Sequence, residues 1–187
     1  MFHKIPNYNI KMAEVPSLTT WTELLPLQPK SLIVLDIDET FLCFPTTTED
    51  WWKELHRTLR AKHGPEQLHI LAKLEWERVV CNELPMLTDT IGFQRLDEEI
   101  RKTNSKLIFL TARLDSLAPL TRRHLLHCGV SADVEVHYSQ NNGETLHSII
   151  ARNPHCTNFI FVDNKVSNIY NVKYHNPIVK VYQWVKG

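Results

Sequence analysis

Asp36 and Asp38 stand two positions apart in "SLIVLDIDETFL", directly after four apolar residues, Leu32 to Leu35. Carboxylates that close repel one another and push one pKa upward. The pair therefore calls for a compensating partner. Two other apolar runs also finish on side chains able to bind or react: "KLIFLT" ends on Thr111 and "NFIFVD" on Asp163. In open parallel sheets, ligands bind in the crevice outside the carboxyl ends of the strands. Three such ends, drawn from far apart in the sequence, can meet there. A strand followed by aspartate is common; DxDxT, then Thr, then Asp, in that order, is not.

These side chains need a sheet to hold them. Strands are expected over 31–36, 106–111, about 134–137, 158–163 and 177–182. Helices are expected over about 90–102, 116–128, 143–152 and 166–172, with Gly129 at a helix stop. This alternation predicts an α/β fold, a Rossmann-like parallel sheet with helices on both faces. Upstream, "SLTTWTELL" (17–25) has a serine cap and Leu18, Trp21, Leu24 and Leu25 at helical spacing, so a short helix is expected. Residues 1–16, with Pro6 and Pro16, read as an irregular arm. Between 45 and 90 two helical stripes appear, one with Trp52, Leu55 and Leu59, the other with Leu68, Leu71, Ala72, Trp76 and Val79. Gly64-Pro65 separates them. The expected organisation is an arm and short helix (1–30), a core (31–44 and 91–187) and a helical insertion (45–90).

"DIDET" resembles the first motif of the haloacid dehalogenase superfamily of phosphohydrolases. "LIFLTAR" resembles its second and "FIFVDNKVSN" its fourth, and the resemblance spans about residues 31 to 183. The short helix before the first motif, with "LTAR", is similar to small acid-phosphatase-like members. The resemblance implies that Asp36 is a nucleophile forming an aspartyl phosphate. It implies that Asp38 protonates the leaving oxygen and then activates water. Asp36, Asp163 and the backbone carbonyl of Asp38 would hold Mg²⁺, which favours oxygen ligands and offsets the repulsion among the acids. Thr111 would donate to a phosphoryl oxygen, with backbone N–H groups near Ala112 and after the first strand binding the others. Arg113 would contact substrate or form a salt bridge, and Thr40 would order the turn.

The superfamily's third motif supplies a lysine, and this chain has none between Lys106 and Lys165. In "QNNGETL", Asn142 stands where the resemblance places it. Three readings are open. Lys165 reaches in from beside Asp163, or Arg113 or Arg152 supplies the charge. In the third, the chain is a weak or inactive relative that binds phosphate, metal or a protein partner. Losing a cation in a dry pocket slows such a reaction on the order of a hundredfold or more. Asn164 and Asn168 follow Asp163 where many members carry a second acid, so the site is less acidic.

Thr111 follows Asp36 by 75 positions, far more than a crossover needs. By resemblance the surplus is a small cap, which favours a small phosphorylated substrate over a protein surface. Trp51 and Trp52 open it; either could stack on a substrate ring or pack the cap onto the core, with Trp52 and Trp76 the firmer core candidates. The chain of 187 residues is 43% hydrophobic and 22% charged, enough for one domain with an insertion. Lys plus Arg and Asp plus Glu both total 21, so no net charge draws it to nucleic acid or a membrane. Cys43, Cys81, Cys128 and Cys156 share no CxxC spacing and read as reduced thiols. No apolar run reaches membrane-span length, and a soluble cytoplasmic protein is expected. His124 and His127 share a helix face without a carboxylate-rich motif and read as structural or surface residues. Oligomeric state is left open.

Overall fold

A computed structural model describes residues 15–186. The elements run β1 (Ser17–Leu18), a 3-10 helix (Trp21–Leu24), β2 (Ser31–Leu35), β3 (Leu42–Cys43), α1 (Glu49–Arg60), α2 (Pro65–Val80) and β4 (Met86–Leu87). They continue as α3 (Thr90–Lys102), β5 (Lys106–Thr111), α4 (Ala118–His127), β6 (Glu135–Tyr138), α5 (Asn142–Arg152), β7 (Asn158–Asp163), α6 (Val166–His175) and β8 (Lys180–Trp184). Six strands form one sheet in the order β1-β8-β7-β2-β5-β6, all parallel. The α/β fold expected from the alternation is therefore the observed one.

β2 lies between β5 and β7 and is buried along its whole length. Its side chains alternate between the faces. Ile33 and Leu35 join Trp21, Phe41, Phe93, Leu96, Phe109 and Leu125 under α3 and α4. Leu32 and Val34 join Ile108, Leu146, Ile149, Phe161, Ile169 and Val172 under α5 and α6. A strand covered on both sides must be apolar throughout, which accounts for the uninterrupted run before Asp36.

α1 and α2 occupy the stretch between β3 and β4, which pair antiparallel at Leu42↔Leu87 and Cys43↔Met86. This small ladder, which has no strong sequence signal, brings the ends of the insertion together. Phe44, Trp76 and Val80 form a separate apolar cluster, with Trp51, Trp52, Leu117 and Leu120 packed against it.

The amino-terminal expectation needs correction. Residues 1–14 of the expected arm lie outside the described residues. The expected helix over 17–25 is β1 followed by the 3-10 helix. Ser17 and Leu18 pair with Gln183 and Trp184 at the sheet edge. Thr20 caps the 3-10 helix, and Glu23 accepts from the Thr20 N–H at 3.0 Å. Trp21 then stacks on Trp184, ring centroids 4.0 Å apart, so tertiary packing overrides the helical spacing. Leu18, Trp21, Leu24 and Leu27 are core residues, so the 17–27 segment is part of the body that the expectation began at residue 31. The last strand starts at Lys180 rather than 177, and α6 runs on to His175.

Candidate active site

Strand register sets the site. Leu35 pairs with Val162 on one side and Phe109 on the other. Asp36 is thus level with Asp163, and Thr111 lies one residue further along the opposite neighbour. All three are buried, Asp163 and Thr111 completely. Beyond Asp36 the chain turns tightly. Phe41 and Leu42 both donate to the Ile37 carbonyl, at 3.0 and 2.8 Å, and Glu39 takes a left-handed backbone (φ 60). The turn is pinned by Ile37, Phe41 and Leu42, all fully buried.

That turn returns Thr40 to Asp36. The Thr40 hydroxyl donates to Asp36 Oδ2 at 3.0 Å and accepts from the Asn164 N–H at 2.9 Å. Asp163 is held by neutral donors as well. Its Oδ1 accepts from the Lys165 N–H at 2.7 Å, and its Oδ2 accepts from Asn168 Nδ2 at 2.8 Å and Asn142 Nδ2 at 3.3 Å. Neither carboxylate takes part in an ion pair among the described residues. Burial pushes the Asp36 carboxyl well above its usual range, and the charges of Asp163 and Asp38 push it further. Burial also raises Asp163, with the Lys165 amide, Asn168 and Asn142 opposing.

Asp38 has a different setting. Arg113 Nε and Nη2 grip its two oxygens at 2.9 and 2.6 Å. Arg113 Nη1 reaches Thr121 Oγ1 at 3.2 Å and His124 Nδ1 at 3.3 Å. The guanidinium carbon lies 5.9 Å from the Phe44 ring centre and 5.5 Å from that of Trp76. Burial works against the Arg113 charge, but Asp38, by charge and hydrogen bond, and Asp36 beyond it outweigh burial and raise its pKa. Burial and the neighbouring Arg113 push His124 down to about 4, so its ring is neutral and Nδ1 accepts. His124 is fully buried while His127 is exposed, so the two do not act as a pair.

Other expected site residues fall as follows. The Thr111 hydroxyl accepts from the Arg113 N–H at 3.2 Å, which leaves its own proton free to donate. Ala112 is half-buried beside it, and its carbonyl accepts from Gln140 Nε2 at 2.6 Å and Lys73 Nζ at 3.2 Å. Asn142 begins α5 and donates to Asp163, so the position where the resemblance places a lysine lies beside the strand-end acids. A Cβ on the next residue, Gly143, would fall 2.6 Å from the Asn171 carbonyl, so glycine lets α5 seat against α6. The Lys165 side chain is exposed, yet its charge opposes part of the upward shift of both Asp36 and Asp163. Arg152 turns onto its own helix, donating to the Ser148 carbonyl at 3.3 Å, and Arg113 is committed to Asp38. Trp51 packs edge-on to Trp52 and against the Phe44–Trp76–Val80 cluster, and no described contact joins it to the strand-end acids.

Sequence reading put Asn168 near the site without naming its partner, read His124 as structural or surface, and passed over Thr121, Phe44 and Lys73. Asn168 had a legible signal, since the first turn of the helix after Asp163 must return side chains to it. Thr121 and His124 share a helix face at i, i+3. Lys73 had none, because its position depends on how the insertion docks.

No family model and no curated protein matches the chain. Solved structures do resemble it. A protein assigned as a beta-phosphoglucomutase from Thermotoga maritima superposes with a TM-score of 0.55 at 15% identity, covering 84% of this chain and 86% of its own. A HAD-superfamily hydrolase from Ehrlichia chaffeensis gives 0.52 at 12% identity, covering 86% and 88%. The class C acid phosphatase from Bacillus anthracis gives 0.51 at 13%, covering 86% and 68%. The chain thus has the haloacid dehalogenase-like α/β fold. Among the described residues, no helix is long and apolar enough to cross a membrane.

Proposed function

We propose that this protein is a Mg²⁺-dependent phosphomonoester hydrolase that works through an aspartyl phosphate on Asp36. The observation that carries this reading is the pair of level, buried carboxylates, Asp36 and Asp163, which repel one another and have no ion-pair partner among the described residues. Such a pair is costly unless a cation joins it.

The donor set fits Mg²⁺. Among the described residues no three His, Cys, Asp or Glu side chains gather into a metal-binding group. Mg²⁺ needs no such cage, because it is usually held by one or two carboxylates with water and substrate phosphate. Asp36, Asp163 and the Asp38 carbonyl would hold it. When bound, the ion supplies the positive charge that keeps both carboxylates ionised beside an anionic substrate.

The chain's own groups then have distinct tasks. Asp36 Oδ1 is free to attack phosphorus while Thr40 holds Oδ2. Thr111 Oγ1–H and the Ala112 N–H bind phosphoryl oxygens, and Asp38 handles the proton of the leaving oxygen and of the attacking water. Lys165 adds positive charge from the rim, in place of a third-motif lysine. α1 and α2, within the 45–90 insertion, act as a small cap over the crevice, which suits a small phosphorylated substrate. The four cysteines, all free, suit a reducing compartment such as the cytoplasm.

Release of phosphate from 4-nitrophenyl phosphate, with and without Mg²⁺, tests the reading. Turnover should require the ion and should fall on the order of 10⁴-fold or more in Asp36→Asn. Undiminished turnover in that variant would refute the nucleophile.

A further inference from the structure

Arg113 is built into the protein far more firmly than a surface salt bridge. Its side chain is 1% exposed, against 27% for Asp38. Thr121 and His124, the partners of Nη1, are fully buried, and Phe44 and Trp76 border its guanidinium in the aromatic cluster. Asp38 is fixed differently. The only side-chain bonds its carboxylate makes among the described residues are those to Arg113, and Glu39 after it sits in a left-handed turn. Arg113 is therefore the fixed member and Asp38 the adjustable one.

A bidentate guanidinium fixes the plane of the carboxylate as well as its distance. The slot that holds this guanidinium is shared by two parts of the molecule. Thr121 and His124 belong to α4 and Phe44 directly follows β3, whereas Trp76 belongs to α2 of the insertion. One turn earlier on α2, Lys73 donates to the carbonyl of Ala112, the residue before Arg113. α2 thus touches the loop and its arginine together.

We propose that Arg113 is the positioning residue for Asp38, and that α2, through Trp76, shares in setting how Asp38 is presented to the crevice. This rests on Asp38 being the group that serves the leaving oxygen. Arg113 grips the carboxylate of Asp38 and is not itself assigned to the phosphoryl group; it acts through Asp38. Movement of the inserted helices shifts one wall of the guanidinium slot and so alters the carboxylate at the far end. The seating of the cap and the readiness of Asp38 are then linked by one side chain.

The test compares wild type with Arg113→Ala, Arg113→Lys and Trp76→Leu on 4-nitrophenyl phosphate with Mg²⁺. A misplaced catalytic group costs about 10²-fold, and that loss is expected in kcat for Arg113→Ala, with KM within about threefold. Added guanidinium ion should restore part of the lost kcat in Arg113→Ala, whereas Arg113→Lys, lacking the fork, should stay impaired. Trp76→Leu should lower kcat by about tenfold. A raised KM with unchanged kcat would instead make Arg113 a substrate ligand and overturn the proposal, as would full activity in Arg113→Lys. A second measurement does not depend on activity or on the arginine variants folding. The assigned Nε–H resonance of Arg113 should be slow to exchange, should move in Asp38→Asn and Trp76→Leu, and should move less in Asp36→Asn. A resonance indifferent to Asp38→Asn overturns the proposal. Absence of phosphate release from any ester by wild type would instead sink the phosphatase reading, and the resonance would still decide whether Asp38 and Arg113 are joined.

Discussion

Asp36 and Asp38 are separated by one residue, yet their surroundings differ in kind. Among the described residues, Asp36 and Asp163 meet only hydroxyl, amide and main-chain donors. Asp38 meets a buried guanidinium through both oxygens. Neutral donors orient a carboxylate and leave its charge to be answered by a ligand. An ion pair answers the charge within the protein and sets the geometry instead. The first arrangement stores an unmet electrostatic demand, and the second aims an adjustable carboxylate from a fixed guanidinium. A site for divalent ion and phosphate needs both.

The sharpest contrast is in stability. Asp38→Ala strands the Arg113 guanidinium in a buried slot and should destabilise the protein by about 3 kcal/mol or more. Asp163→Asn, which relieves repulsion on Asp36, should leave the metal-free protein as stable as wild type or more so. Urea denaturation without Mg²⁺ measures both, and equal losses in the two variants would erase the distinction.

Mg²⁺ and pH sharpen it further. Burial and then like charges raise Asp36, and burial raises Asp163, so the folded protein binds these protons more tightly than the unfolded chain. Their contribution to stability is therefore present below the unfolded value of about 3.8 and is lost as pH rises through the raised folded values. Without Mg²⁺, this part of the stability should decline with rising pH, and Asp163→Asn should show a flatter decline. At a hundredfold excess over its Kd, Mg²⁺ should return about 2.7 kcal/mol at neutral pH. An ion that gives equal stabilisation in Asp163→Asn would be bound elsewhere.

His124, on the Arg113 side, carries the opposite sign. Its folded value of about 4 lies below the ordinary 6.5, so its contribution is lost as pH falls from 6.5 towards 4. Between neutral pH and about pH 5 the loss should be about 2 kcal/mol. His124→Gln should remove that slope while leaving the Mg²⁺ effect intact, as paired thermal melts would reveal. The most local effect belongs to the hydroxyl shared by Asp36 and Asn164: Thr40→Val, which unpairs a buried N–H and a carboxylate oxygen, should cost about 1 to 3 kcal/mol by urea denaturation.

Much of this was legible in the chain. Apolar runs ending on Asp36, Thr111 and Asp163 reported strands buried on both faces, and parallel register brought their ends together. Asn142 was placed by the resemblance of "QNNGETL" to the family's third motif. What escaped was set by tertiary contact. The 17–25 segment has helical spacing, but its first residues zip onto β8 and Trp21 stacks on Trp184. Arg113 looked equally suited to substrate or salt bridge, because nothing in "LTARLD" says that Asp38 turns toward it. Trp51 looked available for a ligand ring, and the cluster around Phe44 and Trp76 claims it. Local pattern reports which strand or helix a residue occupies; only docking of the insertion decides which partner it meets.

The most direct test of the central claim is chemical capture of the covalent intermediate. The protein would be mixed with 4-nitrophenyl phosphate and Mg²⁺, quenched with borohydride within the first turnover and mapped by peptide mass spectrometry. Reduction of an aspartyl phosphate leaves homoserine, and the account expects it at position 36. Phosphate release with position 36 still aspartate, or homoserine at another carboxylate, would contradict it.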